Sequence, residues 1–368
     1  MRIVITGGHP GPALAVIDHI RSSYPDWKIY FVGTKNPLTD DKALSFEYKE
    51  IAARGLPFIN LNTGKFDRAN KLKLILNSYK IARGYFKSLT ILNRIKPDAV
   101  LAFGGYLAVP VAFGAKTLGI KVLTHEQTFG VGFANRLIAR IADRVLLSWE
   151  ETKLVDPNWK SVVTGLPIRK SVINAKAQID KSKLPLILVM GGSQGAHFIN
   201  QLIGNMLDDL LSAYRVVHQV GDSSVYDDYA TLNLKRKEMK QEIGDKYELY
   251  KHISTEKIGA WLELADVVIS RAGINTVAEL LYLQKKAVLI PLLECINPEQ
   301  LVNAKYYKET GLGTYLKQDE VTPDSLHNEI NSVMKHNMGE SDTPVFGMLE
   351  NAASHIVKEI IALTNGQT

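Results

Sequence analysis

The sequence predicts an α/β protein with two Rossmann-like domains, each built on a doubly wound parallel sheet, that face a cleft. A chain of 368 residues is too long for one ordinary domain. Ile3-Val4-Ile5 runs into Thr6-Gly7-Gly8-His9, and half a chain later Leu186–Val189 runs into Gly191–Gly195. A strand, a double glycine and a helix, built twice, indicate two similar domains.

Short apolar runs without strict alternation predict the buried parallel strands of these domains. In the first half they are Lys28–Val32, Ala99–Phe103, Lys121–His125 and Arg144–Leu147. In the second half they are Val189 with its neighbours, Arg215–Val220, Glu248–Tyr250, Val267–Ser270 and Ala287–Pro291. Helical periodicity fills the gaps, as at Pro12–Ile20, Ala134–Ala142, Ala196–Leu211 and Thr276–Leu283. This alternation is typical of doubly wound α/β domains.

Breaks in composition set the expected domain boundaries. Pro167–Pro185 is polar, lysine-rich and bounded by prolines, and Asn337–Pro344 is loop-like. We therefore predict a first domain at 1–168, a linker at 169–184, a second domain at 185–345 and a C-terminal segment at 346–368. That last segment contains a helix from about Met348 to Leu363, which can pack back on either domain.

The composition is that of a globular protein, with 46% hydrophobic and 22% charged residues and a net charge of +6. The single cysteine, Cys295, excludes an internal disulfide and fits a reducing compartment. Met1-Arg2 passes directly into a strand, so no signal peptide is expected. No apolar run reaches the roughly 18 residues of a membrane-spanning helix.

The motifs of several cofactor and metal classes are missing from the sequence. The first glycine turn lacks the dinucleotide spacing, and Gly33-Thr34-Lys35-Asn36 offers no acid for a ribose. Gly64-Lys65 is followed by Phe66, which excludes a Walker A loop. No Cys/His cluster has zinc spacing, and no Asp-x-Asp pair occurs. We therefore expect neither a cofactor nor a required metal.

The second-half corner, Gly191-Gly192-Ser193-Gln194-Gly195, is a candidate diphosphate site. Glycines let backbone amides approach a ligand closely, and a helix N-terminus favours anions. The alternative is an ordinary tight turn in which Ser193 is the N-cap.

The segment Ser270–Glu279 is a second candidate, because it follows a predicted strand. Gly273 permits a close backbone approach, and Asn275 or Thr276 can cap the next helix. The Glu279 carboxylate can accept both hydroxyls of a ribose. The alternative is a capping arrangement in which Glu279 is favoured only by the helix dipole.

Two further polar groups follow strands of the first half. His9 lies in the first glycine turn, and imidazole is the usual general base near neutral pH. A lone histidine is more often structural. His125-Glu126-Gln127 follows another strand and predicts either the rim of a site or an internal hydrogen-bond network that holds the next loop.

The stretch Phe66–Lys96 is basic and apolar, with Asp67 its only acid. Its apolar residues exceed what one buried stripe needs, which favours an anionic membrane surface as partner. The alternatives are a core helix with a solvated basic face and, more weakly, nucleic acid, for which no recognised binding motif is present.

Taken together, short motifs in a fixed order resemble the MurG family over nearly the whole chain. They are Thr6–His9 with Pro12–Val16, Phe103–Tyr106 with Val109-Pro110, His125–Gln127, Ala134–Arg136, Ala142–Val145, Thr164–Arg169, Gly191–Ala196, Arg271–Glu279, and Gln300 with Asn303-Ala304. That family comprises GT-B-fold glycosyltransferases that add N-acetylglucosamine from UDP-N-acetylglucosamine to undecaprenyl-linked lipid I, giving lipid II.

The resemblance implies a role for each matching position. His9 would be the catalytic base. The substrate-binding positions would be Thr6, Gly7, Gly8, Thr128, Arg169, Gly192, Ser193, Gln194, Ile253, Ile274, Asn275, Thr276, Val277, Ala278, Glu279 and Gln300. Within this set Glu279 would hold the ribose, Ile253 would lie beside the uracil and Gln300 would touch the sugar. The basic apolar stretch would place the protein at the cytoplasmic face of the cell membrane, with no nucleic acid as partner.

The chain departs from the family pattern at three places. Val4-Ile5 stands where two further glycines are usual, Thr128 replaces an asparagine, and Cys295–Glu299 replaces a polar run. The last two concern recognition of the donor sugar. Three other functions stay open from the residues: a transferase for another lipid such as a diacylglycerol, a UDP-sugar epimerase, and a non-catalytic partner protein.

Overall fold

The computed structural model describes residues 1–36, 44–61, 71–175, 184–192, 195–223, 225–292, 299–335 and 345–366, with backbone alone at 71–81 and 345–348. The chain divides into two compact units. The first comprises Met1–Ile168 and Met348–Thr368, and the second comprises Arg169–Gly347.

The first unit is built on a seven-stranded sheet whose recorded strand pairs are all parallel. Its strands are β1 (Arg2–Thr6), β2 (Lys28–Gly33), β3 (Phe58–Asn60), β4 (Ala99–Ala102), β5 (Lys121–Glu126), β6 (Arg144–Leu147) and β7 (Ser161–Val163). They lie in the order β3-β2-β1-β4-β5-β6-β7. The helices are α1 (Pro10–Ser23), α2 (Phe46–Ala53), α3 (Lys71–Ile95), α4 (Gly105–Thr117) and α5 (Phe133–Ala139).

The apolar run of β1 shows why this sheet is buried on both faces. Ile3 and Ile5 point into a core layer with Ile17 of α1, whereas Val4 points into the opposite layer with Leu107 of α4. A strand covered by helices on both sides needs apolar residues at every position, which is the pattern that the sequence shows.

The second unit repeats this architecture with six parallel strands. They are β8 (Leu186–Met190), β9 (Arg215–Gln219), β10 (Tyr247–Tyr250), β11 (Val267–Ser270), β12 (Ala287–Leu289) and β13 (Gly313–Tyr315), in the order β10-β9-β8-β11-β12-β13. Its helices are α6 (Lys170–Ile173), α7 (His197–Asn205), α8 (Leu207–Ala213), α9 (Asp228–Glu238), α10 (Gln241–Gly244), α11 (Ile258–Leu264), α12 (Ile274–Tyr282), α13 (Glu299–Glu309) and α14 (Pro323–Lys335).

The last helix, α15 (Val345–Thr364), packs in the first unit. Ile356, Val357 and Ile360 are fully buried in the same core layer as Ile3 and Ile5. An ion pair between Arg144 and Glu359, 3.4 Å long, adds a polar contact to this apolar packing.

Both sheets reverse their strand order beside the first strand of the unit. The reversal falls between β1 and β4 in the first unit and between β8 and β11 in the second. In open α/β sheets, ligands bind at this point, outside the carboxyl ends of the strands. The residues that follow these four strands are therefore the first candidates for a site.

Two local expectations were wrong. The helix predicted over Ala196–Leu211 is two helices, α7 and α8, which meet at Met206. Neither Asn275 nor Thr276 caps α12, because the N-cap is Gly273 and both residues lie in the first turn. The predicted strand ends elsewhere differ from the structure by at most a residue or two.

Candidate active site

Two glycine turns meet at the strand-order reversal of the first unit. Gly7-Gly8 follows β1, and Gly104-Gly105 follows β4, its neighbour in the sheet. A Cβ added to Gly8 would overlap the Gly104 carbonyl oxygen, and one added to Gly105 would lie 3.0 Å from the Gly8 Cα. Gly104 and Gly105 also have φ values of 70° and 78°, which favour glycine. The turns touch because both lack side chains.

His9 is exposed at this junction, at the N-cap of α1. Its Nδ1 lies 3.1 Å from the Phe103 carbonyl oxygen. A carbonyl oxygen only accepts hydrogen bonds, so Nδ1 carries the proton and, in the neutral ring, Nε2 has the free lone pair. The main chain thus selects the tautomer that can accept a proton at Nε2.

The other predicted residues of this turn differ in exposure. Thr6 and Gly7 are buried, whereas Gly8 is exposed. The Gly7 N–H donates to the Val32 carbonyl oxygen at 3.0 Å. The Thr6 Oγ1 has no hydrogen-bond partner among the described residues. Of the three, Gly8 is the one whose backbone is accessible to a ligand.

Glu126 organises a buried network after β5. Its Oε1 accepts from the Thr128 N–H at 3.0 Å, and its Oε2 accepts from the Gly132 N–H and the Asn135 side chain, both at 2.8 Å. The Thr128 hydroxyl lies 2.8 Å from Glu126 Oε1 and 2.7 Å from the Gly130 carbonyl oxygen, and donates to one of them. Of the two interpretations offered by the sequence, this geometry favours the network that holds the following loop.

His125 is buried beside this network and is kept neutral. Its Nε2 lies 3.1 Å from the Gly165 carbonyl oxygen, so Nε2 carries the proton. Burial lowers the pKa of His125 to about 4, and the hydrogen bond to Gly165 and the charge of Glu126 oppose this only in part. The imidazole of His125 is therefore a neutral, structural group at neutral pH.

The second unit places its glycine corner between β8 and α7. A Cβ added to Gly195 would overlap the Val220 carbonyl oxygen, and its φ is 81°. Gly192 is exposed, with a φ of 82° and open space where a Cβ would lie. Ala196, the N-cap of α7, makes no side-chain capping bond, and the first turn holds no acid. Within the described part of this corner the cap residue thus offers the first amides of α7 no side-chain acceptor, which leaves them available to an anion. Ser193 and Gln194 lie outside the described residues.

Glu279 and Arg169 are brought together at the same reversal. The Arg169 Nε donates to Glu279 Oε1 at 2.5 Å, and Nη2 donates to Oε2. The Glu279 side chain is 4% exposed and that of Arg169 is 30% exposed. In the rest of the predicted segment Ile274, Val277 and Ala278 are buried, while Asn275 and Thr276 are half-buried.

Gln219, at the end of β9, is a residue of this site that sequence reasoning missed. Its amide nitrogen donates to the Gly192 carbonyl oxygen at 3.3 Å, and its Oε1 accepts from the Ile253 N–H at 2.9 Å. One side chain thereby ties the glycine corner to the loop in which the predicted uracil contact lies. A lone glutamine belongs to no motif. Its position at the end of β9 was the one feature of the sequence that could have indicated a site residue.

Gln300 lies in the first turn of α13. Its Oε1 accepts from the Leu292 N–H at 3.0 Å. This bond orients the amide and leaves its nitrogen as the group that can donate to a ligand. Within the described part of the chain no group of three His, Cys, Asp or Glu is placed to hold a metal ion.

Two doubly wound parallel sheets, whose strand order reverses beside β1 in one unit and beside β8 in the other, are the architecture of the GT-B class. Residues 4–147 match the N-terminal domain of glycosyltransferase family 28, and residues 186–360 match its C-terminal domain. The chain is 33% identical over 329 residues, 87% of its length and 83% of the relative's, to a Treponema denticola protein. That protein is named UDP-N-acetylglucosamine--N-acetylmuramyl-(pentapeptide) pyrophosphoryl-undecaprenol N-acetylglucosamine transferase.

A Bacillus cereus protein of the same name, numbered 2, is 30% identical over 347 residues, 91% of this chain and 92% of the relative. Among solved structures, Acinetobacter baumannii MurG superposes with a TM-score of 0.70 at 26% identity, covering 98% of this chain and 99% of that one. The chain belongs to the MurG family of N-acetylglucosamine transferases.

Proposed function

We propose that this protein transfers N-acetylglucosamine from UDP-N-acetylglucosamine to the muramyl C4 hydroxyl of lipid I, forming lipid II. The observation that carries the proposal is the 33% identity over 87% of the chain to a transferase with this named activity. The geometry supports it, because the first unit offers a base and the second offers a donor site. Both lie where open α/β sheets bind ligands, at the carboxyl ends of the strands.

The second unit would hold the donor. The uncapped first turn of α7 offers backbone amides to the diphosphate, and Gly192 leaves room beside them. The Glu279 carboxylate would accept the ribose hydroxyls, and Ile253 would lie beside the uracil. The Gln300 amide, oriented through Leu292, would donate to the sugar hydroxyls. Ser193 and Gln194 complete the proposed contacts from the sequence.

The first unit would supply the base. His9 Nε2 takes the proton of the acceptor hydroxyl while that oxygen forms a bond to C1 of the sugar. The bond from C1 to the diphosphate oxygen breaks on the opposite face, so the configuration at C1 inverts and UDP leaves with the electron pair. The transition state is oxocarbenium-like, and negative charge grows on the diphosphate. Amides of the α7 turn and Arg169 would stabilise that charge.

We further propose that the protein works at the cytoplasmic face of the cell membrane, bound to anionic lipid rather than nucleic acid. On α3 the described side chains from 82 to 95 expose Arg83, Lys87 and Arg94, with Phe86 65% exposed among them. The opposite side of the helix buries Leu92 against α4. A basic face with an exposed aromatic suits an anionic bilayer surface. No helix among the described residues is long and apolar enough to span a membrane.

A panel of donors and acceptors tests the proposal. Purified protein is given UDP-N-acetylglucosamine, UDP-glucose or UDP-N-acetylgalactosamine together with lipid I or a diacylglycerol in mixed micelles. We expect transfer with UDP-N-acetylglucosamine and lipid I alone. Transfer to the diacylglycerol and not to lipid I would overturn the proposed acceptor, and a preference for another sugar would overturn the proposed donor.

A further inference from the structure

Arg169 is paired with the Glu279 carboxylate, which is the group expected to bind the ribose. Arg169 donates from Nε to Oε1 at 2.5 Å and from Nη2 to Oε2, so both carboxylate oxygens face one guanidinium edge. This is the bidentate fork that Arg forms with carboxylates. The carboxylate that is expected to accept hydrogen bonds from the ribose diol therefore already accepts two from Arg169.

A carboxylate has one edge on which both oxygens can be approached together. The Arg169 fork takes that edge, and a vicinal diol that donates one hydrogen bond to each oxygen needs the same edge. Glu279 is 4% exposed, so the surrounding protein restricts approach from other directions. Ribose and guanidinium are therefore competitors for Glu279.

The backbone that carries Arg169 is fixed in the second unit. Arg169 is the N-cap of α6, and the Ser171 hydroxyl donates to the Thr255 carbonyl oxygen at 2.5 Å. A Cβ added to Gly259 of α11 would overlap the Ser171 carbonyl oxygen, which shows how closely α6 and α11 pack. The side chain, 30% exposed, can change rotamer while its Cα stays in place.

We propose that Arg169 closes the ribose site in the free protein and is displaced by the ribose diol, which makes its guanidinium available to the diphosphate. This inference rests on the proposed function, because it assumes a uridine diphosphate ligand. Displacement exposes a cation that a nucleoside cannot neutralise and that a diphosphate can. Recognition of the ribose and of the phosphates is thereby coupled through one side chain.

The coupling predicts effects of opposite sign for two ligands. Without the Arg169 side chain, the buried carboxylate has lost its partner, and the ribose hydroxyls satisfy it with no competitor. Uridine should then bind more tightly. UDP should bind more weakly, because the diphosphate loses a guanidinium. 2′,3′-Dideoxyuridine has no diol to displace the fork, so its affinity should not rise.

The test is a titration calorimetry series on the full chain with uridine, 2′,3′-dideoxyuridine and UDP. We expect Arg169→Ala to bind uridine about tenfold more tightly and UDP about tenfold more weakly than the unsubstituted protein. Arg169→Lys keeps the charge but cannot form the fork, so it should gain uridine affinity and lose less UDP affinity. Lys170→Ala, an exposed neighbour on α6, controls for the loss of one positive charge and should change each affinity less than about twofold.

Two results would overturn the inference while leaving the proposed function in place. If Arg169→Ala weakens uridine and UDP alike, Arg169 orients Glu279 and does not compete with the ribose. If uridine affinity is unchanged in both variants, the pair has no role in ligand entry. A folded protein that binds neither uridine nor UDP before substitution would instead overturn the proposed function itself.

Discussion

The Nδ1 atom of His9 lies 3.1 Å from the carbonyl oxygen of Phe103. This relationship joins the ends of two adjacent strands, β1 and β4, and fixes the tautomer of an exposed imidazole. The main chain thus sets the tautomer that the proposed base requires, with Nε2 left to accept a proton.

Replacing His9 by alanine should lower kcat with lipid I about 10²- to 10⁴-fold, because the acceptor hydroxyl loses its general base. The affinity for UDP should not change, since the proposed donor site lies in the second unit. Initial rates of lipid II formation and calorimetry with UDP give the two quantities. His327→Ala, at an exposed position on α14, is the matched control. Near-normal turnover by His9→Ala would remove His9 from the mechanism.

Adding one methyl group at Gly8 should separate the two glycine turns of the first unit. The new Cβ meets the Gly104 carbonyl oxygen, which belongs to the main chain and cannot rotate away. We expect Gly8→Ala to lower the free energy of unfolding by about 2 kcal/mol and to reduce kcat. Gly130→Ala has open space at its Cβ and should change neither quantity. Equal urea midpoints for the two variants would show that the turns do not need their close contact.

The buried imidazole of His125 should make stability depend on pH. Its pKa is about 4 in the folded protein and about 6.5 in the unfolded chain, so between these values only the unfolded chain takes up the proton. The contribution of His125 to the free energy of unfolding is therefore full above pH 6.5 and falls as the pH decreases towards 4. The total loss is on the order of 3 kcal/mol. His218, whose pKa burial lowers to about 3, adds an effect of the same sign in the second unit.

Urea unfolding, followed by tryptophan fluorescence between pH 4 and 7.5, measures this dependence. We expect His125→Asn to be less stable than the unsubstituted protein at pH 7.5 but to lose less stability on going from pH 6.5 to 4. If the free energy of unfolding of the two proteins changed with pH in the same way, His125 would not be a neutral, buried group.

The exposed face of α3 should control attachment to membranes. Phe86→Ser should weaken binding to phosphatidylglycerol vesicles about tenfold, because an exposed aromatic no longer enters the interface. The matched control is Leu234→Ser on α9, which removes an apolar side chain that is 60% exposed. Sedimentation with anionic and phosphatidylcholine vesicles supplies the measurement. The same loss in both variants would place the membrane contact elsewhere.

The sequence predicted most of the sheets because buried parallel strands are short apolar runs, and Arg144–Leu147 and Val267–Ser270 were placed to the residue. The short strand β3 (Phe58–Asn60) was missed because it holds only two consecutive apolar residues, whereas the equally short β12 lies in the longer apolar run Ala287–Pro291. The break at Met206 was invisible for a related reason: both sides of it continue the same apolar periodicity.

The candidate site was predictable where a motif carries it and unpredictable where a single contact does. The glycine corners and Glu279 follow strands in recognisable patterns, and these patterns predicted the candidate donor site of the second unit. The pairing of Arg169 with Glu279 joins residues 110 positions apart and depends on how α6 packs against α11. The carbonyl partner of His9 likewise belongs to Phe103, which directly follows the neighbouring strand β4, at a separation of 94 residues. Contacts of this kind follow from the tertiary fold, which no local pattern encodes.

The most direct test of the central claim is the stoichiometry of UDP release and lipid II formation from UDP-N-acetylglucosamine, measured in the same reaction with and without lipid I. The account predicts one UDP released for each lipid II formed, and no conversion of the donor when lipid I is omitted. Conversion of UDP-N-acetylglucosamine at an undiminished rate without lipid I would contradict it, because the enzyme would then act on the donor alone.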